Sequence, residues 1–278
     1  MKKIGVIDYY LDQYHAENYP AWLKSASGGE VQISYVWAKA DKPGGKPNAL
    51  CAKEMGAAQL GSIAEVVEKS DGLIVMSPDN PELHPELCRL PLLSGKPTYV
   101  DKTFTVSRRE ALGLIETAKT AHTPFFSTSA LRYSDEYLKL KKEGIEHINS
   151  RGPGAFGNYG IHQVEPITCL MGAGIEKIQY VGTANTPTFV YRFRDGRSAT
   201  TTQLGWEADF SLALNYAGDH AVVLQGASDF YARFIEKLAE FFIDGIPKVP
   251  AEETLQVITI LEYGKKAMET PDTWVVLP

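Results

Sequence analysis

Residues 71–132 read DGLIVMSPDN PELHPELCRL PLLSGKPTYV DKTFTVSRRE ALGLIETAKT AHTPFFSTSA LR. Three strand-like runs in this stretch, at 72–77, 97–101 and 123–129, are separated by segments with helical spacing or proline breaks. Continuous apolar runs of this kind are typical of strands that are covered on both faces. The alternation of buried strands with helices predicts an α/β fold with a doubly wound parallel sheet.

The same pattern extends from this stretch to the N-terminus. Residues 4–8 (IGVID) and 31–38 (VQISYVWA) predict two further strands. Residues 52–70 have apolar side chains at helical spacing and predict one helix. We therefore expect residues 1–127 to form one domain.

Residues 128–278 follow a different pattern. Asp195-Gly196 lies between two alternating segments and is typical of a hairpin turn. Residues 228–245 and 252–268 each carry apolar side chains on one helical face. This half of the chain predicts a C-terminal α+β domain with a mostly antiparallel open sheet and two closing helices.

The bulk composition limits the classes of partner. The chain has a formal net charge of −6 and an isoelectric point of about 5.6, without the cluster of Lys and Arg that marks a nucleic-acid surface. No stretch approaches the roughly 20 apolar residues that span a bilayer. The N-terminal segment reads as a strand rather than as a signal peptide. We therefore expect a cytoplasmic protein with no nucleic-acid and no membrane partner.

Neither metal nor disulfide chemistry is indicated. The three cysteines, Cys51, Cys88 and Cys169, are far apart and odd in number, which fits neither a disulfide framework nor a paired zinc motif. No two histidines have the spacing of a helical zinc site, and His15, for example, is expected to be structural or exposed. We expect no bound metal.

Three short motifs follow one another along the chain. In order they are Ser77-Pro78-Asp79 followed by His84, then Gly95-Lys96-Pro97-Thr98-Tyr99-Val100-Asp101-Lys102-Thr103, then Asn158-Tyr159-Gly160-Ile161-His162-Gln163-Val164-Glu165. The ordered set, at these separations, resembles the glucose–fructose oxidoreductase / inositol dehydrogenase (Gfo/Idh/MocA) family. That family has a Thr-Pro-Asn-like turn followed by His, then Gly-Lys-x-x-x-x-Glu-Lys-Pro, then Asp-x-Gly-x-His-x-x-Asp. The resemblance covers nearly the whole chain.

The resemblance implies a fold and an activity. Residues 1–127 are expected to be a Rossmann-like dinucleotide-binding domain, and residues 128–278 an α+β domain for substrate binding and oligomerisation. The implied function is NAD(P)-dependent oxidation or reduction of a sugar, polyol or related hydroxy compound by hydride transfer. The implied cofactor is NAD or NADP, and the implied partners are a small-molecule substrate and a second copy of the chain in a homodimer.

The resemblance also assigns roles to individual residues. Lys102 and His162 are the expected catalytic residues, which handle the proton of the substrate hydroxyl. The simpler alternatives are a surface Lys102 that is salt-bridged to Asp101, and a His162 that makes local hydrogen bonds at a helix start. The expected substrate-binding residues are Asn158, Glu165 and Arg132. The expected cofactor-binding residues are Ser77, Pro78, Asp79, His84 and Asp101.

The first loop departs from the family pattern. After Ile7 the family has Gly-x-Gly-x-x-Gly, whereas residues 8–13 read DYYLDQ and contain no glycine. Glycines there let the backbone approach a pyrophosphate at a helix N-terminus, and a carboxylate at Asp8 would repel one. The departure keeps open an alternative class: a non-catalytic ligand-binding or regulatory relative that has lost normal nicotinamide binding.

Two further details follow from the departures. The stretch after the second strand offers Lys39 for a 2′-phosphate or Asp41 for ribose hydroxyls, so the choice between NADP and NAD stays open. The family's proline after the lysine is replaced by Thr103. We therefore expect the Lys102–Thr103 peptide bond to be trans, since a cis bond without proline costs about 3 kcal/mol.

Overall fold

The structure is a computed structural model that describes all residues from Met1 to Pro278, and it consists of two compact units. Unit 1 comprises Met1–Thr105, Arg109–Thr128 and Ala232–Ala251. Unit 2 comprises Val106–Arg108, Ser129–Tyr231 and Glu252–Pro278.

Unit 1 is built on a parallel sheet of six strands. The strands are β1 (Lys2–Asp8), β2 (Val31–Ala38), β3 (Ala58–Gln59), β4 (Gly72–Val75), β5 (Thr98–Val100) and β6 (Phe125–Ser127). Their order in the sheet is β3-β2-β1-β4-β5-β6, and every neighbouring pair is parallel. This is the Rossmann-like, doubly wound order, so the predicted α/β fold is confirmed. The strand order reverses between β1 and β4, which makes that position the topological switch point.

Helices and a 3₁₀ turn connect these strands. They are α1 (Tyr14–Ala26), α2 (Asn48–Glu54), α3 (Ile63–Lys69), the 3₁₀ turn Pro81–Leu83, α4 (His84–Leu87), α5 (Arg89–Leu93) and α6 (Arg108–Thr120). The single helix expected over 52–70 is wrong, because strand β3 separates α2 from α3. Gly56 has a φ of +68° just after α2, which ends that helix. Ser62 begins the next helix by accepting a hydrogen bond from the Glu65 N–H at 3.2 Å.

Unit 2 is built on an open sheet of seven strands. They are β7 (Ile145–Pro153), β8 (Ile175–Thr183), β9 (Thr186–Phe193), β10 (Ser198–Leu204), β11 (Ser211–Tyr216), β12 (His220–Gln225) and β13 (Trp274–Val276). Their order is β12-β11-β7-β10-β9-β8-β13, and only the β7–β10 pair is parallel. The expected mostly antiparallel open sheet is therefore confirmed, and the expected turn at Asp195-Gly196 joins β9 to β10.

The helices of the second half are α7 (Asp135–Leu138), α8 (Phe156–Tyr159), α9 (Ile161–Met171), α10 (Phe230–Asp244) and α11 (Ala251–Glu269), with a 3₁₀ turn at Ala130–Tyr133. None of the helices in the structure has both the length and the apolar character that crossing a bilayer demands.

Most of α10 belongs to unit 1, which differs from the expected division at residue 127. The Phe234 ring lies 5.3 Å from the Tyr99 ring, and the Phe241 ring lies 4.9 Å from the Phe126 ring. These aromatic side chains cover strands β5 and β6. The sequence pattern identified the apolar face of this helix, but it could not identify the sheet on which that face packs.

Candidate active site

The carboxyl ends of β1, β4 and β5 carry the polar residues of unit 1. Asp8 is the last residue of β1, Ser77 follows β4 by two positions, and Asp101 and Lys102 follow β5 directly. Because all strands of this sheet are parallel, these residues lie along one edge, beside the switch point. Open α/β sheets bind their ligands at such an edge.

Asp101 is a buried carboxylate with three hydrogen-bond partners. Its Oδ2 lies 2.7 Å from His15 Nδ1, and its Oδ1 accepts the Tyr99 hydroxyl at 3.0 Å and the Lys102 backbone N–H at 2.9 Å. Burial raises the pKa of Asp101, but His15 and the Lys102 charge outweigh it and hold that pKa well below its ordinary range. Asp101 is therefore an anion paired with His15, not the surface partner of the Lys102 ammonium.

Lys102 is half-buried at the end of β5. Its peptide bond to Thr103 is cis, so the expectation of a trans bond is wrong.

Asp8 is also buried. Its Oδ1 accepts the Tyr9 N–H at 2.7 Å, and its Oδ2 accepts the Gln13 amide at 2.8 Å. Burial raises the pKa of Asp8 to about 7, against the lowering effect of these hydrogen bonds. The neutral acid is therefore populated near neutral pH. The phosphate repulsion expected from the sequence applies only to the ionised form.

Gln13 is a buried residue of the first loop that contacts both α1 and the end of β4. Its Oε1 accepts the His15 N–H at 2.7 Å and so caps α1, and its amide lies 3.0 Å from Met76 Sδ beyond β4. One N–H of the helix N-terminus is thus satisfied within the chain. A dinucleotide fits this edge in part. The usual backbone cradle for the pyrophosphate is missing, while the ends of β4 and β5, with Lys102, remain available for the nicotinamide half.

The turn after β4 contains the expected residues Ser77, Pro78 and Asp79. Ser77 has a φ of +98°, and its hydroxyl donates to the Asn80 carbonyl at 3.0 Å. Asp79 is exposed and accepts the Tyr10 hydroxyl at 3.2 Å. The turn therefore contacts the altered first loop through Tyr10.

His84 is fully buried. Its Nε2 lies 2.7 Å from the Met76 carbonyl, and its Nδ1 lies 2.9 Å from the Phe104 carbonyl. Burial lowers the pKa of His84 below its ordinary value. The imidazole links the backbone after β4 to the backbone after β5, so its contacts in the structure are those of a residue that positions both segments.

The two residues that could select NAD or NADP have partners within the chain. Lys39 Nζ lies 2.5 Å from Glu86 Oε2, and Asp41 Oδ1 accepts the Asn48 N–H at 2.7 Å. Both side chains are therefore held by partners within unit 1.

In unit 2, His162 belongs to a hydrogen-bonded cluster at the first turn of α9. The Ser129 hydroxyl lies 2.7 Å from His162 Nδ1, and the Ser129 N–H donates to Glu165 Oε2 at 2.5 Å. Glu165 Oε1 lies 3.6 Å from Arg132 Nη1, and Arg132 also pairs with Glu253. The structure thus brings together three residues expected from the sequence, Arg132, His162 and Glu165, through Ser129.

Arg132 and Glu165 are both buried. Burial lowers the pKa of Arg132, but the neighbouring Glu165 outweighs it and raises that pKa above its ordinary value. Asn158, by contrast, is exposed at the end of α8. Of the three expected substrate-binding residues, Asn158 is the one on the surface of its unit.

Sequence reasoning missed several residues of the site. His15 and Ser129 carry no local motif, and each acts through a partner that is distant in sequence. The rings of Tyr159 and Phe210 lie 4.9 Å and 5.9 Å from the His162 ring, both nearly perpendicular to it. The one available signal was Trp206, a large apolar residue in the short polar loop between β10 and β11.

No protein-family model matches this chain. No curated protein matches it either. Solved structures do match over nearly the full length. The myo-inositol dehydrogenase from Lactobacillus casei, in complex with NAD(H) and myo-inositol, matches with a TM-score of 0.82 at 10% identity, covering 100% of this chain and 97% of that one.

Two other solved structures match equally well. The scyllo-inositol dehydrogenase from Lactobacillus casei, with bound NAD(H) and scyllo-inositol, gives a TM-score of 0.79 at 15% identity, covering 99% of this chain and 98% of that one. GenD2 from gentamicin A biosynthesis, in complex with NAD, gives a TM-score of 0.81 at 12% identity, covering 100% of this chain and 97% of that one. At these identities the similarity establishes that the chain shares the fold of these proteins.

Proposed function

We propose that this chain is an NAD(P)-dependent oxidoreductase, a divergent member of the Gfo/Idh/MocA family that acts on a sugar, polyol or related hydroxy compound. The observation that carries the proposal is the position of Lys102 at the carboxyl end of β5, beside the switch point of a Rossmann-like sheet. The similarity to inositol dehydrogenases that bind NAD(H) supports the same activity.

In this proposal the protein manages the substrate proton. Bound NAD or NADP would supply the hydride chemistry at its nicotinamide ring. Lys102 and His162 hold and move the proton of the substrate hydroxyl. A serine hydroxyl can donate or accept a hydrogen bond, so Ser129 supports the His162 imidazole in both of its protonation states.

The remaining expected residues divide by their contacts. Asn158, which is exposed, is proposed to hydrogen-bond the substrate directly. Arg132 and Glu165, which are buried in an ion pair, are proposed to position Ser129 and hence His162.

The proposed cofactor contacts lie in unit 1. Ser77, Pro78 and Asp79 are proposed to contact the cofactor in the turn after β4. Asp101 and His84 are both buried, and they are proposed to position the backbone of the same edge rather than to touch the cofactor.

A second candidate function is a ligand-binding or regulatory protein without turnover. The observation that favours it is the side-chain network of Asp8, Gln13 and His15, which occupies the first loop where relatives have glycines. In that case the edge of the sheet binds a ligand other than a dinucleotide.

A homodimer through the outer face of the unit 2 sheet is also proposed. Short polar side chains on this face bond to one another across strands: Asn149 donates to Thr200 at 2.6 Å, and Thr188 donates to Thr202 at 3.2 Å. The strand register places the exposed Arg151 and Arg192 on the same face, so a second copy packed here would meet a polar surface that carries positive charge. The three free thiols fit the proposed cytoplasmic location, where cysteines stay reduced.

Turnover tests the proposal directly. Wild-type protein is assayed for appearance of reduced nicotinamide with a panel of cyclitols, aldoses and open-chain polyols, using NAD and NADP in turn. Lys102→Ala and His162→Ala should each lose turnover by at least about a hundredfold, the typical contribution of a general acid–base, while retaining the wild-type circular dichroism spectrum. Wild-type rates in both variants would remove these residues from the mechanism, and no turnover by the wild type would favour the regulatory function.

A further inference from the structure

Two aromatic side chains, Tyr159 and Phe210, lie against His162, and a third, Trp206, packs on Tyr159; we call the three the aromatic wall. The Tyr159 and Phe210 rings lie 4.9 Å and 5.9 Å from the imidazole. The Trp206 ring lies 4.7 Å from Tyr159, nearly perpendicular to it. The wall therefore extends from the imidazole outward to Trp206.

Two glycines, which have no side chain, leave room for these rings. A Cβ atom at Gly154 would lie 2.9 Å from both Tyr159 and Trp206, and this residue has a φ of +84°. A Cβ atom at Gly152 would lie 2.4 Å from Phe210. The backbone therefore lacks side chains where the wall approaches it, and a side chain at either position would collide with the rings.

The wall is not part of the hydrophobic core. Trp206 is 65% exposed, and Tyr159 and Phe210 are half-buried. Leaving an indole in water forgoes the favourable burial of a large apolar surface. A tryptophan that packs on Tyr159 and still leaves 65% of its surface exposed suits a ligand better than it suits stability.

We propose that the aromatic wall binds the C–H face of a saturated, polyhydroxylated ring, and that Trp206 selects ring substrates over open-chain polyols. Such a ring carries its C–H bonds on its faces and its hydroxyls at its rim. A face can pack on aromatic surface while a rim hydroxyl reaches His162, an arrangement of apolar lining with few polar groups that is usual for small-molecule sites. An open chain presents no such rigid face and loses more rotational freedom on binding.

The role of His162 in this proposal rests on the proposed function, but ring binding by the wall can be measured without turnover. The probes are myo-inositol and glucitol, which have the same numbers of carbons and hydroxyls and differ in ring closure. Binding to the full-length protein is measured by ligand-observed NMR, with and without NADH. The proteins are the wild type, Trp206→Ala, Trp206→Phe and, as the matched control, Trp274→Ala, which removes another exposed indole of unit 2.

Trp206→Ala should weaken myo-inositol binding about tenfold, the usual size of one lost aromatic contact, and should leave glucitol binding unchanged. Trp206→Phe should keep most of the affinity, and Trp274→Ala should match the wild type. The proposal is overturned if the wild type does not prefer the ring, if Trp206→Ala weakens both probes equally, or if Trp274→Ala has the same effect. If Trp206 selects the ring but the protein shows no nicotinamide turnover, the proposal of ring binding by the aromatic wall stands and the proposed oxidoreductase function fails.

Discussion

His15 Nδ1 lies 2.7 Å from Asp101 Oδ2, and this pair joins the start of α1 to the end of β5. Strand β4 lies between β1 and β5 in the sheet, so the pair passes the carboxyl end of β4 beside the switch point. Dinucleotide-binding folds with a glycine loop keep this region for phosphate contacts. In this chain the His15–Asp101 pair lies in that region, and it holds the backbone next to Lys102.

His15→Ala should destabilise the protein by about 3 kcal/mol, because it leaves Asp101 as a buried carboxylate without its hydrogen bond to His15. Urea unfolding measures this change. His220→Ala, at an exposed histidine on β12, is the control and should change stability by less than about 0.5 kcal/mol. Equal stability of the two variants would mean that the His15–Asp101 pair contributes nothing to the fold.

The stability of the wild type should depend on pH through Asp8. Burial raises its folded-state pKa from 3.8 to about 7, so the folded chain binds this proton more tightly than the unfolded chain. The resulting stabilisation is complete below the unfolded pKa and is lost as the pH rises to about 7. Asp8→Asn removes this dependence.

The Asp8→Asn variant should therefore gain about 3 kcal/mol relative to the wild type between about pH 5 and about pH 8. Parallel urea titrations of both proteins across this range measure the gain. Changed hydrogen bonds in the variant add only a constant offset. A difference in stability that does not change with pH would show that Asp8 titrates normally.

Ser129→Ala should lower kcat by at least about tenfold with little change in KM, because His162 loses the hydroxyl that orients its Nδ1. The pH dependence of kcat should shift in the same variant. Ser129→Thr retains a hydroxyl and should restore much of the rate. If Ser129 had only a structural role, the pH profile of Ser129→Ala would match that of the wild type. That result would contradict the proposal that Ser129 orients His162.

Arg132→Met should destabilise the protein by about 3 kcal/mol or more, because Glu165 and Glu253 lose a shared buried cation. Thermal unfolding and urea unfolding both report the loss. A direct substrate contact would instead raise KM and leave stability near that of the wild type. The second result would return Arg132 to the substrate-binding residues.

Patterns among neighbouring residues predicted those parts of the fold and of the candidate site that do not depend on contacts between distant residues. The alternation of strands and helices in the first half, and the hairpin turn at Asp195-Gly196 in the second, correctly indicated a parallel sheet followed by a mostly antiparallel one. The pairing of His15 with Asp101 joins residues 86 positions apart, and no spacing rule predicts such a contact. The division of 52–70 into two helices follows from the end of α2 at Gly56 and the cap of α3 at Ser62, with strand β3 between them.

The sequence misjudged Asp8 for a physical reason. A carboxylate beside a phosphate site was expected to be charged, since residue type alone indicates an ordinary pKa. Burial at the end of β1 changes that expectation, because the low-dielectric surroundings favour the neutral acid. The effect of Asp8 on an anionic ligand therefore depends on pH as well as on position.

The central claim, that the carboxyl edge of the unit 1 sheet binds a nicotinamide cofactor, is tested most directly by fluorescence titration with NADH. NADH is used for the pH comparison because the 2′-phosphate of NADPH itself titrates at about pH 6. Wild-type protein should bind NADH weakly, and more tightly at about pH 6 than at about pH 8, because neutral Asp8 does not repel the pyrophosphate. Asp8→Asn should bind equally well at both values. No binding of NADH or NADPH at millimolar concentration, at either pH, would contradict the account and leave the regulatory function in its place.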